Sequence, residues 1–248
     1  MKTAERHQLK HNEVADSLQQ VYTRLDASRR TLVAVVIAVV VLGAAIAGWS
    51  YFRGSQDAAA GTLLAEGLVV TEAQVVAPTP QLPGQPAPPP PPAGSYPSEK
   101  AKLEAALPKF LAAADTYPNT SSGLSARGRA ASALASIGRR DDARVQYQKL
   151  ADADPRGLYG RTARLALADL DVQEKKYDAA ITTLREFSLD AKGDLPLDAI
   201  LMQLGQAYLA AGKTTDARQT FERLTNEFAT SAYAADAKKQ LETLKPGA

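Results

Sequence analysis

Few residues in this chain combine a type and a spacing that could do chemistry. His7 and His11 stand at i and i+4, where two imidazoles on one helix face can share a metal ion. The surrounding ERHQLKH offers only Glu5 or Glu13 as a further donor, so no metal site is expected there. Two acidic pairs remain, Asp141 with Asp142 and Asp152 with Asp154, as a carboxylate pair or as cation ligands. They are expected instead at a helix start and in a turn between repeats, where carboxylates cap and solvate. Cysteine is absent, which removes disulfides, thiolate catalysis and cysteine zinc sites together. With both histidines near the N-terminus, the rest of the chain has neither imidazole nor thiol for nucleophilic or general-base work. The sequence therefore predicts no catalytic residue, no metal, no cofactor and no enzyme.

The elements that could position a site start with Thr31–Phe52, TLVAVVIAVVVLGAAIAGWSYF, an uncharged run long enough to cross a bilayer as one helix. Arg29 and Arg30 precede it, and Trp49, Tyr51 and Phe52 form an aromatic belt at its far end, with Arg53 beyond. The basic side marks residues 1–30 as cytoplasmic and the C-terminal part as exported, in a single-pass membrane protein. A cleaved signal peptide is the alternative, with Ala45-Ile46-Ala47 as its cleavage site. Against it, the N-terminal segment is long and carries Glu5, Glu13, Asp16 and Asp26. That segment has a heptad stripe of His7, His11, Val14, Leu18, Val21 and Leu25, suited to a partner helix, the membrane surface or a solvated helix.

Beyond the membrane run, the chain is organised by repetition. Ala106, Ala143, Ala180 and Ala217 recur every 37 residues, each followed at helical spacing by larger apolar residues such as Phe110, Tyr147, Leu184 and Phe221. Small residues also recur at Ala131, Ala168 and Gly205, where two helices are expected to approach closely. Such pairs bury their apolar faces only by stacking, so the prediction is an all-α fold: a transmembrane helix followed by a solenoid of about four helix pairs. The domain plan is 1–30 cytoplasmic; 31–52 transmembrane; 53–76 first helix of the repeat domain; 77–98 proline-rich loop; 99–230 repeats; 231–248 capping helix and tail. The loop, APTPQLPGQPAPPPPPAGSYP, excludes helix and packed strand and is read as a stiff linker inserted in the first hairpin. The net charge of +2, with no basic stripe, argues against nucleic acid.

The order of apolar, small and aromatic positions in LMQLGQAYLAAGKTTDARQTFERL resembles a tetratricopeptide repeat, and RLALADLDVQEKKYDAAITTLREF keeps the pattern with Asp171 in place of an aromatic. The resemblance implies a concave groove lined by first helices, at Gly128, Ser132 and Ala135, then Leu165, Asp169 and Val172, then Met202, Gln206 and Leu209. The last six are the expected partner-binding groove, because Leu165, Val172, Met202 and Leu209 offer apolar contact and Asp169 and Gln206 hydrogen bonds.

The whole layout is similar to the bacterial ancillary SecYEG translocon subunit family. Gly48-Trp49-Ser50-Tyr51-Phe52, the alanine-rich segment after it, and Lys175–Leu184, KKYDAAITTL, carry that resemblance. It implies a non-enzymatic interaction module on the periplasmic side, with the Sec translocon and a membrane-anchored periplasmic chaperone as protein partners and the bilayer as its anchor. An envelope scaffold or adaptor for cell division or polysaccharide export shares the same features.

Overall fold

The computed structural model describes residues 13–78, 90, 92–190 and 193–244. His7 and His11 lie outside them. The chain divides into two units, Met1–Ser55 and Gln56–Ala248.

The described part of the first unit belongs to α1 (Glu13–Thr71), and no proline interrupts that helix. Its stretch from Arg29 holds an 18-residue window with a mean hydropathy of 2.7, and it is the one helix among the described residues long and apolar enough to cross a membrane. Residues 33–52 are exposed on every side, with Val40 and Trp49 each at 64%. A helix apolar all round has no polar face to turn toward water.

In the second unit, the end of α1 is followed by α2 (Glu99–Thr116), α3 (Ser121–Ser136), α4 (Arg140–Ala153), α5 (Leu158–Gln173), α6 (Tyr177–Leu189), α7 (Leu197–Ala210), α8 (Thr214–Glu227) and α9 (Ala234–Thr243). From α2 onward each helix packs against the next, an all-α array with helical hairpins α3/α4, α5/α6 and α7/α8. The turns closing these hairpins are built alike. Gly138, Lys175 and Gly212 hold φ of 87°, 63° and 73°, a left-handed conformation that favours glycine. In each turn this residue's N–H bonds the carbonyl three back, and the next N–H reaches five back, as Gly212 does to Leu209 at 2.9 Å and Lys213 to Tyr208 at 2.9 Å. This reciprocal closure satisfies helix-end carbonyls that would otherwise lack donors.

Inside the hairpins, the periodic small residues set the spacing. A Cβ at Gly205 would lie 2.6 Å from Phe221 Cζ, so only glycine lets α7 and α8 approach this closely. Ala168, Ala180 and Ala217 are at most 1% exposed in the same core.

The first hairpin is made across an insertion. Leu64 and Leu68 of α1 pack on the core containing Phe110 of α2, and Glu66 pairs with Lys109 at 2.8 Å. Asp57 Oδ1 accepts the backbone N–H of Ser122 at 2.8 Å, holding the start of α3. The segments expected as separate pieces at 1–30, 31–52 and 53–76 share one helix from Glu13, and that helix ends at Thr71 rather than Val76. β-Branched Val75 and Val76, before Pro78, favour extended backbone instead. They form a short bridge in which Tyr96 N–H donates to Gln74 and Val76 N–H to Tyr96, each at 2.9 Å. At the other end, Ala234 and Ala237 of α9 are buried, while Lys238, Lys239 and Glu242 on its outer side stay exposed. A polar outer face closes such a stack.

Candidate partner-binding surface

Within the second unit, α3 touches α5 and α5 touches α7, whereas no two second helices of successive hairpins meet to that extent among the described residues. First helices of successive hairpins thus stand side by side on one face, the face that the tetratricopeptide resemblance takes as concave.

The six groove residues do not share one environment. Asp169 and Gln206 are exposed on that face. Leu165, Val172 and Leu209 are half-buried, leaning on the core that holds Ala168, Leu204 and Tyr208. Met202 is corrected: it is 6% exposed and belongs to this core, so it offers no accessible contact. Its side chain is drawn inward because α5, α6 and α8 all pack against α7, a packing that position within one repeat cannot report. In the preceding repeat Ser132 is exposed, while Gly128 and Ala135 are half-buried.

One residue of this surface escaped the groove pattern. Tyr147 lies on a second helix, yet its hydroxyl bonds Ser132 and feels Asp169. Burial raises its pKa above the usual phenol value, the Ser132 hydrogen bond works against that, and the Asp169 charge adds to it. Leu184 and Phe221 occupy the same place in later repeats, so the signal was a polar-tipped ring in an otherwise apolar column. Asp169 also accepts from Gln173 Nε2 at 2.7 Å, and Gln173 accepts from Arg140 Nε at 3.1 Å.

The acidic pairs face no common ligand. Asp142 binds Arg139 at 2.7 Å, and Asp152, which lies within α4 rather than in the turn, accepts from Gln148 at 2.9 Å. Asp154 caps α5 by accepting the N–H of Tyr159 at 3.1 Å. No group of three or more His, Cys, Asp or Glu able to hold a metal occurs among the described residues. Asp171, set where an aromatic was expected, takes Arg144 at 2.8 Å and so ties α4 to α5. A polar cleft of about 430 Å³ beside that pair is lined by Arg144, Asp152, Arg164 and Asp171. An apolar hollow of about 670 Å³ lies between the end of α1 and Tyr96.

A family profile described as tetratricopeptide repeat-like domain matches residues 29–245. The chain belongs to that family. Tetratricopeptide-like repeats are protein-interaction scaffolds, and this chain carries the helical hairpins of one. No curated protein matches the sequence. Its structure is similar to that of Pseudomonas aeruginosa pilF, with a TM-score of 0.54 and 16% identity over 77% of this chain and 69% of that one. It is also similar to the nearly identical TPR-like repeats of a Podosopora anserina putative kinesin light chain, with a TM-score of 0.50 and 13% identity over 58% of this chain and 77% of that one. Identities this low show a shared fold alone.

Proposed function

We propose that this chain is a non-enzymatic interaction module held in the bacterial inner membrane by Thr31–Phe52, with a cytoplasmic N-terminus and its repeats in the periplasm. There it assists secretion or periplasmic chaperoning at the Sec translocon. The observation that supports this reading most is the joining of two features. An apolar helix exposed on every side belongs to the same chain as a repeat unit whose concave face keeps Asp169 and Gln206 accessible. Side chains that no part of the chain covers are available to a partner.

Topology and partner are tested together. A reporter active only outside the cytoplasm, fused after Ala248, is expected to be active, and the chain to stay in the membrane fraction through high-salt washing. A soluble species starting near Gly48 would show cleavage and end the anchor reading. A photocrosslinking residue at position 206, followed by solubilisation and purification, is expected to recover translocon subunits or a membrane-anchored chaperone. Recovery of cell-division or polysaccharide-export complexes instead would replace the translocon role with that of an envelope scaffold.

A further inference from the structure

The two sides of the repeat array differ in charge. Of the eleven exposed residues on first helices α3, α5 and α7, only Arg129 and Asp169 are charged, and their signs cancel. Of the twenty-one exposed residues on second helices α4, α6 and α8, eleven are charged. The first helices do contain other charges, but three of the cations are paired with carboxylates. Arg127 pairs with Asp115 of α2 at 3.0 Å, Arg161 with Asp190 at 2.6 Å, and Arg164 with Glu186 of α6. What stays exposed on the inner side is mainly hydroxyl and amide, including Ser132, Thr162, Gln203 and Gln206, above a floor of half-buried Leu165, Val172 and Leu209.

The Gln203 and Gln206 amides both donate and accept hydrogen bonds, and the Thr162 hydroxyl, which donates to the Leu158 carbonyl at 2.7 Å, still accepts, so they match a peptide main chain, whose N–H and C=O alternate along an extended segment. A charged side chain laid on this surface would lose water and meet no opposite charge beyond one isolated residue of each sign, which disfavours it. Resting on the reading of the concave face as the partner-binding surface, we infer that this face takes an extended polypeptide segment free of charged side chains. The segment is held chiefly through its main-chain amides. Association is consequently insensitive to salt, because no set of exposed ion pairs is formed for salt to screen.

The test uses the full chain in detergent, immobilised, with a displayed library of random peptides as the probe. The same selection is run on a Gln203→Glu, Gln206→Glu double variant, whose exposed positions leave the core untouched. The expected outcome is enrichment of peptides poor in Asp, Glu, Lys and Arg, kept at about 500 mM salt and lost on the double variant. N-methylation at alternate residues of a selected peptide is expected to weaken binding by about tenfold or more, through lost main-chain donors. Enrichment of charged peptides that the double variant loses would overturn the charge inference while leaving the concave face as the binding surface. Peptides that bind both proteins equally, or no enrichment at all, would overturn that reading as well. A methylated peptide that binds unchanged would overturn the main-chain mode.

Discussion

Gly67 of α1 lies against the ring of Phe110 in α2, and a Cβ at position 67 would stand 2.6 Å from Phe110 Cδ1 and closer still to Cε1. The pair repeats the relation of Gly205 to Phe221. The second pair is 16 residues apart in the chain and the first 43, so the proline-rich insertion lies inside the hairpin and leaves the crossing unchanged.

Replacing Gly67 by alanine is therefore expected to destabilise the repeat unit by about 1 to 3 kcal/mol through overpacking. In an open helix the same change would gain about 1 kcal/mol. Gly61 of α1, whose Cβ would meet only Ser122 Oγ at 3.5 Å, an ordinary contact, serves as the control. Denaturant unfolding measures both, and adding Phe110→Leu should restore part of the loss in the Gly67 variant. An unchanged midpoint for Gly67→Ala would show that α1 does not pack on α2 in this register.

Lys175 holds φ of 63° where the other two hairpin turns have glycine. A left-handed conformation costs an L-residue about 1 to 2 kcal/mol, and glycine returns part of that as unfolded-state freedom. Lys175→Gly is expected to raise stability by up to about 1 kcal/mol, read as a shift in the denaturation midpoint. A fall in stability would mean that the Lys175 side chain contributes more than its backbone strain removes.

Asp57 accepts the N–H of Ser122 and so fixes the first turn of α3 to α1. Asp57→Ala is expected to cost about 0.5 to 2 kcal/mol, the range for a lost N-terminal acceptor. Hydrogen exchange should localise the effect, with amides of the first α3 turn losing protection before those of α7 and α8. Uniform loss across the array would contradict the nearest-neighbour coupling of stacked repeats.

Several carboxylates are held below their ordinary pKa by cations. Arg164 lowers Glu186, Lys176 and then Arg144 lower Glu174, and Lys213 lowers Asp178. A depressed folded-state pKa stabilises fully above the unfolded value and is lost as pH falls through the folded one. Thermal stability is therefore expected to be flat above about pH 5 and to decline below the usual carboxylate range. Glu186→Gln should remove part of that decline and lower neutral-pH stability by about 0.2 to 1 kcal/mol, the scale of an exposed pair. An acid limb identical to that of the unmodified chain would show that this pair contributes nothing.

Much of the array was legible because its causes are local. The 37-residue recurrence of small and large apolar residues specifies helices that must cross closely, and the crossings at Gly205 and Phe221 follow from residue size. The uncharged run before Trp49 likewise specifies a helix that presents no polar face to water. What the sequence left open depended on neighbours distant in the chain. Gly67 stands outside the 37-residue register, which runs back from Gly205 through Ala168 and Ala131 to Gly94, and it finds Phe110 only after the insertion is spanned. Met202 and Gln206 stand four residues apart on one helix, yet the core takes the first and leaves the second exposed. Helical periodicity places both on one face, whereas their depth depends on which neighbouring helices close over each turn, and that is decided only when the repeats are stacked. The neutrality of the concave face has the same origin. Arg127, Arg161 and Arg164 are as basic in the sequence as Arg129, and only the stack pairs them with Asp115, Asp190 and Glu186 while Arg129 stays exposed.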